Sequence, residues 1–216
     1  SSSLLTIDLN SGEILADSKT EYVLGNLVSF QNHIISHGAN YLTAFHQVEH
    51  LRKITAERLE KNPQDEKGLR FKIMLHLQDE SYREALETSL EAHQVYPEDA
   101  PIRNLLTRAV LDAFERDFEN THQLATDLAT FMKAQPQYGE YLRRMAAGYA
   151  SLGDYEKSFD ALLAFAAQAR LERSSEEDLV LEGGAILTSN DRWIRQKSGE
   201  LLELAAEAKD ADLVSQ

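Results

Sequence analysis

From residue 63 onward, prolines punctuate this chain at close to one interval. Pro63 in "EKNPQD" and Pro97 in "QVYPED" stand 34 residues apart, and Pro136 in "KAQPQY" follows 39 later. Between them the apolar residues recur with helical period. A proline inside a helix removes a hydrogen bond and clashes with the preceding turn, so each one marks a helix end. An interval of 34 residues leaves room for two helices and their turns. The same step beyond Pro136 reaches Arg170, where a fourth break is expected before "RLERSS". A unit of that size cannot bury its apolar face alone. The chain from Gln47 onward is therefore expected to be a row of antiparallel helix pairs, each packed on its neighbours.

Local signals support the count. Ser81 and Glu84 form an S-x-x-E capping box, Asp99 precedes "APIRNLL" with Pro101 in the first turn, and Ser174 with Glu177 repeats the capping-box spacing. In "LGDYEKSFDALLAFA" Gly153 should close one helix, Asp154 should cap the next, and Tyr155 should pack at the turn. Ala85, Ala92 and Ala146 offer small side chains where two helices must approach closely, and Tyr149 offers an aromatic one.

These residues and their period resemble the tetratricopeptide repeat. The resemblance implies a mainly α chain, an α-solenoid of antiparallel helix pairs over residues 47–216. Two units match well, one is stretched, one is degenerate, and a lone helix precedes them. Ile73 departs from the pattern by replacing a small residue. The unit between Pro97 and Pro136 is five residues too long, and the last unit carries "EGGA" and no closing proline. A nonrepetitive helical bundle is the alternative. In the family, ligands lie along a concave face lined by the first helix of each pair. Carried over by repeat phase, Lys67, Arg70, Met74, Glu140, Arg143 and Ala147 are the expected partner-binding residues. Met74 and Ala147 stand where the carboxylate-clamping variety carries an asparagine, so that ligand is not expected.

Residues 1–46 have a different pattern. "LLTIDL" alternates apolar and polar residues, "NSG" is a turn signal with Gly12 free to take a positive φ, and "EILAD" should return. "NLVSFQ", "HIISH" and "YLTAF" follow, the last two separated by "GAN". Four or five antiparallel strands make a small N-terminal sheet, giving α+β overall. So little sheet needs helices or further strands against one face. "LLTIDLNSGEIL" is similar to one strand pair of a quinoprotein-like β-propeller blade. Ala16 stands near the position of that family's tryptophan, so no quinone cofactor is expected. The order of the two modules resembles the C-terminal region of large bacterial proteins that combine both.

The charge excludes some partners. With 36 acidic against 22 basic residues, a formal net charge of −14 opposes binding to nucleic acid or anionic lipid. No apolar run approaches the roughly 20 residues that span a bilayer. The chain has no cysteine, which removes thiol chemistry but leaves both the bacterial periplasm and the cytoplasm open. "SSSLLTIDL" lacks the basic and apolar regions of a signal peptide and enters a strand pattern at once, as though cut from a longer chain.

One motif suggests chemistry. "HQVEH", His46 to His50, matches the H-x-x-E-H pattern in which two histidines one helical turn apart hold zinc and the glutamate acts as base. Read as the start of the first helix, it puts Val48, Leu51 and Ile54 on a packing side and both histidines on the other. A working zinc site needs a third ligand; His33 and His37, in the strands, are the ones a turn could bring near. The expectation is no cofactor and no catalytic metal, with His46 and His50 the metal candidates. Gly183-Gly184 reads as a kink and Trp193 as an anchor of the last helix. A stack of helix pairs offers an extended surface for a protein or peptide, or for the rest of the same chain, and no preformed pocket. The expected function is thus a non-enzymatic interaction module; a structural cap bracing a propeller in cis is the alternative, and a metal-dependent hydrolase the third.

Overall fold

The computed structural model describes residues 2–8, 10–20, 23–175 and 189–207. The chain divides into two compact units, Ser1–Phe71 and Lys72–Gln216.

The first unit holds the strands. β1 (Ser2–Ile7) and β2 (Ile14–Thr20) form an antiparallel hairpin. Its turn is built as the sequence predicts, with Gly12 at φ +74°, and Asp8 adds what the turn signal alone did not show. One carboxylate oxygen of Asp8 accepts from the backbone N–H of Asn10 and of Ser11, each at 2.8 Å. These bonds to Ser11 and Asn10 hold the Asp8 carboxyl below its usual range. β3 (Asn26–Phe30), β4 (His33–His37) and β5 (Leu42–His46) form a second antiparallel sheet in the order β3-β4-β5. The strands expected from the sequence are present, but they form two sheets, β1-β2 and β3-β4-β5, and not one.

Alternation decides which face each side chain takes. The register pairs Val28 with Ile35, Phe30 with His33, Ile35 with Ala44 and His33 with His46, so these residues share one face. Most of that face is open: Val28 is 56 %, Phe30 60 % and Leu42 68 % exposed. Ser36 on the opposite face is buried, and its hydroxyl accepts from the Gly25 N–H at 3.0 Å.

After β5 the chain turns directly into α1 (Val48–Lys61). Gln47 stays extended at φ −66°, ψ 141°, and its N–H donates to the Asn32 carbonyl at 2.9 Å. Leu51 is buried, as the helical phase requires, and the helix stops before Pro63. α2 (Glu66–Gln78) crosses the division between the two units.

The second unit is helical. α3 (Tyr82–Val95) packs on α4 (Ala100–Arg116), α4 on α7 (Tyr138–Ser151), α7 on α8 (Tyr155–Ser175), and α8 on α9 (Ser189–Glu207). α2, α4 and α7 begin at residues 66, 100 and 138, close to the proline interval. Small residues lie at the crossings: Ala85, Ala92, Ala109, Ala113 and Ala146 are all buried. The Ser158 hydroxyl, fully buried on α8, donates to the Ala146 carbonyl of α7 at 2.7 Å. Gly153 closes α7 at φ +75°, and Asp154 caps α8 by accepting the Lys157 N–H at 3.2 Å. This mainly α architecture is compatible with an α-solenoid.

Three local expectations need correction. Ser81 is the N-cap of α3 but makes no side-chain cap bond; a tight turn with Glu80 at φ +57° leaves it at ψ 69°, away from the extended conformation a cap uses. Asp99 does cap α4, accepting from Ile102 N–H at 2.7 Å. No break comes at Arg170: α8 runs to Ser175, because "AAQARLERSS" contains no glycine or proline to stop it. Ser174 therefore sits inside a helix, while Glu177 and Gly183-Gly184 lie outside the described residues. The extra length before Pro136 is a short helix α5 (Phe118–Thr121) and a 3-10 turn (His122–Leu124), placed ahead of α6 (Ala125–Lys133).

Candidate functional site

The HQVEH motif is not one helical turn. His46 is the last residue of β5, and only His50 is helical, in the first turn of α1. The cause is the sheet register. "HIISH" and "LTAFH" pair around the Gly38–Tyr41 turn, which sets His46 directly opposite His33 and keeps it in the strand. Two imidazoles on a shared helical face, as the zinc-hydrolase pattern requires, are therefore not formed.

What forms instead is a three-histidine cluster. His33 and His46 have ring centroids 4.6 Å apart, His46 and His50 5.8 Å, and His33 and His50 6.1 Å. Phe71, from the N-terminal half of α2, meets the His46 ring edge-on at 5.9 Å. Partial desolvation of its ring, then the neighbouring His33 and His50, hold His46 below the usual histidine range and favour its neutral form, although the residue as a whole stays exposed. His37 lies at the far end of the same sheet face, opposite Leu42. The signal for His33 was in the sequence: once the "GAN" turn is placed between β4 and β5, an antiparallel ladder joins the first residue of one strand to the last of the other.

The six residues expected to bind a partner are placed as follows. Lys67, Met74 and Ala147 are exposed. Arg70 pairs with Glu66 one turn earlier on α2, at 2.5 Å. On α7, Glu140 receives both Arg143, at 3.8 Å, and Arg144, at 2.9 Å. The Arg143 guanidinium also lies over the Trp193 ring, 4.6 Å from its centroid, with Phe165 set edge-on to that ring at 5.3 Å. Trp193 is packed against the core formed by Ala146, Ala161, Leu162 and Leu201, so it anchors α9. Arg144, not singled out from the sequence, ties α7 to α4 through Glu115 at 2.9 Å and through the Leu111 carbonyl.

Among the described residues no helix is long and apolar enough to cross a membrane. Compared with known proteins, the chain matches no family model and no curated sequence.

Proposed function

We propose that this chain is a non-enzymatic protein-interaction scaffold, in which tetratricopeptide-like helix pairs carry a β segment resembling a propeller blade. One observation supports this reading most. Many of the large apolar side chains left exposed are on the strands, and Val28, Phe30 and Leu42 share one open sheet face. Contiguous apolar exposure of this kind marks protein contact surfaces. The partner is a protein or peptide, or the rest of the full-length chain.

A second reading is favoured by the strand count. The sheet β3-β4-β5 is one strand short of the four that make a propeller blade, and all five residues of its edge strand β3 are exposed. On that reading the helices brace a propeller in cis. Parallel affinity capture would separate the two. The wild-type chain is compared with a sheet variant, Phe30→Asp with Leu42→Asp, and a helix variant, Met74→Asp with Ala147→Asp. Captured proteins are then titrated directly against all three forms. Loss of binding in the helix variant alone supports a partner on the helix faces. Loss in the sheet variant alone supports a partner on the sheet face, and supports bracing where the captured protein is the rest of the full-length chain. A wild-type chain that binds nothing more tightly than both variants do overturns the scaffold reading.

A further inference from the structure

The histidine cluster has the dimensions of a metal site. When three imidazoles bind one tetrahedral zinc at about 2.0–2.1 Å per nitrogen, each ring centroid lies about 3 Å from the metal and the centroids stand about 5 Å apart. The centroids of His33, His46 and His50 stand 4.6, 5.8 and 6.1 Å apart, a triangle close to that size. Backbone elements fix its corners. His33 and His46 are paired across β4 and β5, and His50 follows in the first turn of α1. That strand-to-helix junction is held by the Gln47 N–H on the Asn32 carbonyl and by the Gln47 side-chain amide on the Ser29 hydroxyl at 3.3 Å.

We propose that His33, His46 and His50 bind one divalent transition metal of the zinc class through three imidazole nitrogens, leaving one position to solvent. Nitrogen donors select such ions over calcium or magnesium, which take oxygen ligands. As they stand, the rings are tilted 46°, 47° and 61° to one another, and no three acidic or histidine side chains among the described residues are set to hold a metal. The step that closes the site is rotation of the imidazoles. Histidine χ2 is a broad torsion, and His46 is exposed while His33 and His50 are half-buried, so χ2 rotation is the movement required to turn the nitrogens inward. The net charge of −14 raises the cation concentration around the chain. The bound ion would clasp β4, β5 and α1 at one point. It would be a structural ion, and the inference does not depend on what the sheet face binds.

The test uses the whole chain without a polyhistidine tag, stripped of metal by a chelator. Cobalt(II) titration should give one saturable equivalent with the intense visible bands of a low-coordinate site, bleached by zinc. His33→Ala and His50→Ala should each weaken cobalt binding at least about tenfold, the lower end of what loss of even an outer-shell partner brings. His37→Ala should leave it unchanged. Should a variant misfold, proton spectra of the wild-type imidazoles decide: zinc should shift three of the 7 histidines together. The proposal is overturned if no saturable band forms, or if His33→Ala binds cobalt as the wild type does. It is also overturned if zinc perturbs a different set of histidines. The last two results mean an adventitious ion only, and the first means no site.

Discussion

Phe118 shows how one side chain can make a distant glycine indispensable. Its ring lies against the backbone of α7, where a Cβ added to Gly148 would come within 2.3 Å of the ring carbons. The ring is also edge-on to Phe114 at 5.3 Å and to Tyr149 at 5.0 Å, so it has nowhere to retreat. Gly148→Ala should destabilise the chain by about 1–3 kcal/mol through overpacking. Gly199, inside α9, has open space around it, and Gly199→Ala should instead be neutral or stabilise by up to about 1 kcal/mol. Urea melts of both variants check this; equal shifts would mean that the ring does not sit there. A second residue governs acid behaviour. His93 packs edge-on against Phe131 at 5.0 Å, and its Nδ1 is buried without a hydrogen-bond partner among the described residues. Burial first, then the nearby Arg103, lower its affinity for a proton, with Glu98 opposing. Between the folded value and the ordinary histidine value near 6.5, the unfolded chain binds more protons. The stability linked to His93 is therefore complete above about pH 6.5 and is lost as pH falls through that window. His46 is shifted in the same direction and adds to the trend. The urea midpoint should drop from pH 7 to pH 5, and drop less in His93→Gln.

Elements were legible where their ends carried chemistry, and obscure where tertiary contacts chose the ends. Pro63, Pro97 and Pro136 each follow a helix that stops a few residues earlier, and Ala85, Ala92 and Ala146 are buried as their spacing predicts. Ala85→Leu or Ala146→Leu should therefore destabilise by about 1–3 kcal/mol, measured by denaturant melts, since neither crossing has room for a larger side chain. The surplus of residues before Pro136 could be counted but not interpreted. That α5 and the 3-10 turn would insert Phe118 and Thr121 into the core depends on how α4, just before them, meets α7, some way further along the chain. The candidate site was half legible for a similar reason. Helical spacing suggested that His46 and His50 belong together, but strand pairing put His46 in a sheet and brought in His33. A pairing register is a long-range property, and the five residues of the motif do not contain it.

At the scale of the whole molecule, order should be uneven. The helices of the second unit bury Ile102, Leu106, Ala109, Val110 and Ala113 on α4 alone, whereas every residue of β3 is exposed. Hydrogen exchange should find the slowest backbone amides in α4 and α7 and fast exchange along β3. Comparable protection in β3 would mean that its sheet face is covered in solution. Within the second unit the helices touch in nearly sequential order, α3 to α4 to α7 to α8 to α9. That arrangement has a mechanical consequence. A tension applied between α3 and α9 cannot shear every interface at once, because each helix is fastened chiefly to the one before it. Each interface would part through its own contacts: at α9 Trp193 would slide from beneath Arg143 and away from Phe165, and between α4 and α7 the Arg144–Glu115 pair would break. Such a chain should yield in steps under force, one interface at a time, and a single rupture event in a pulling experiment would refute this.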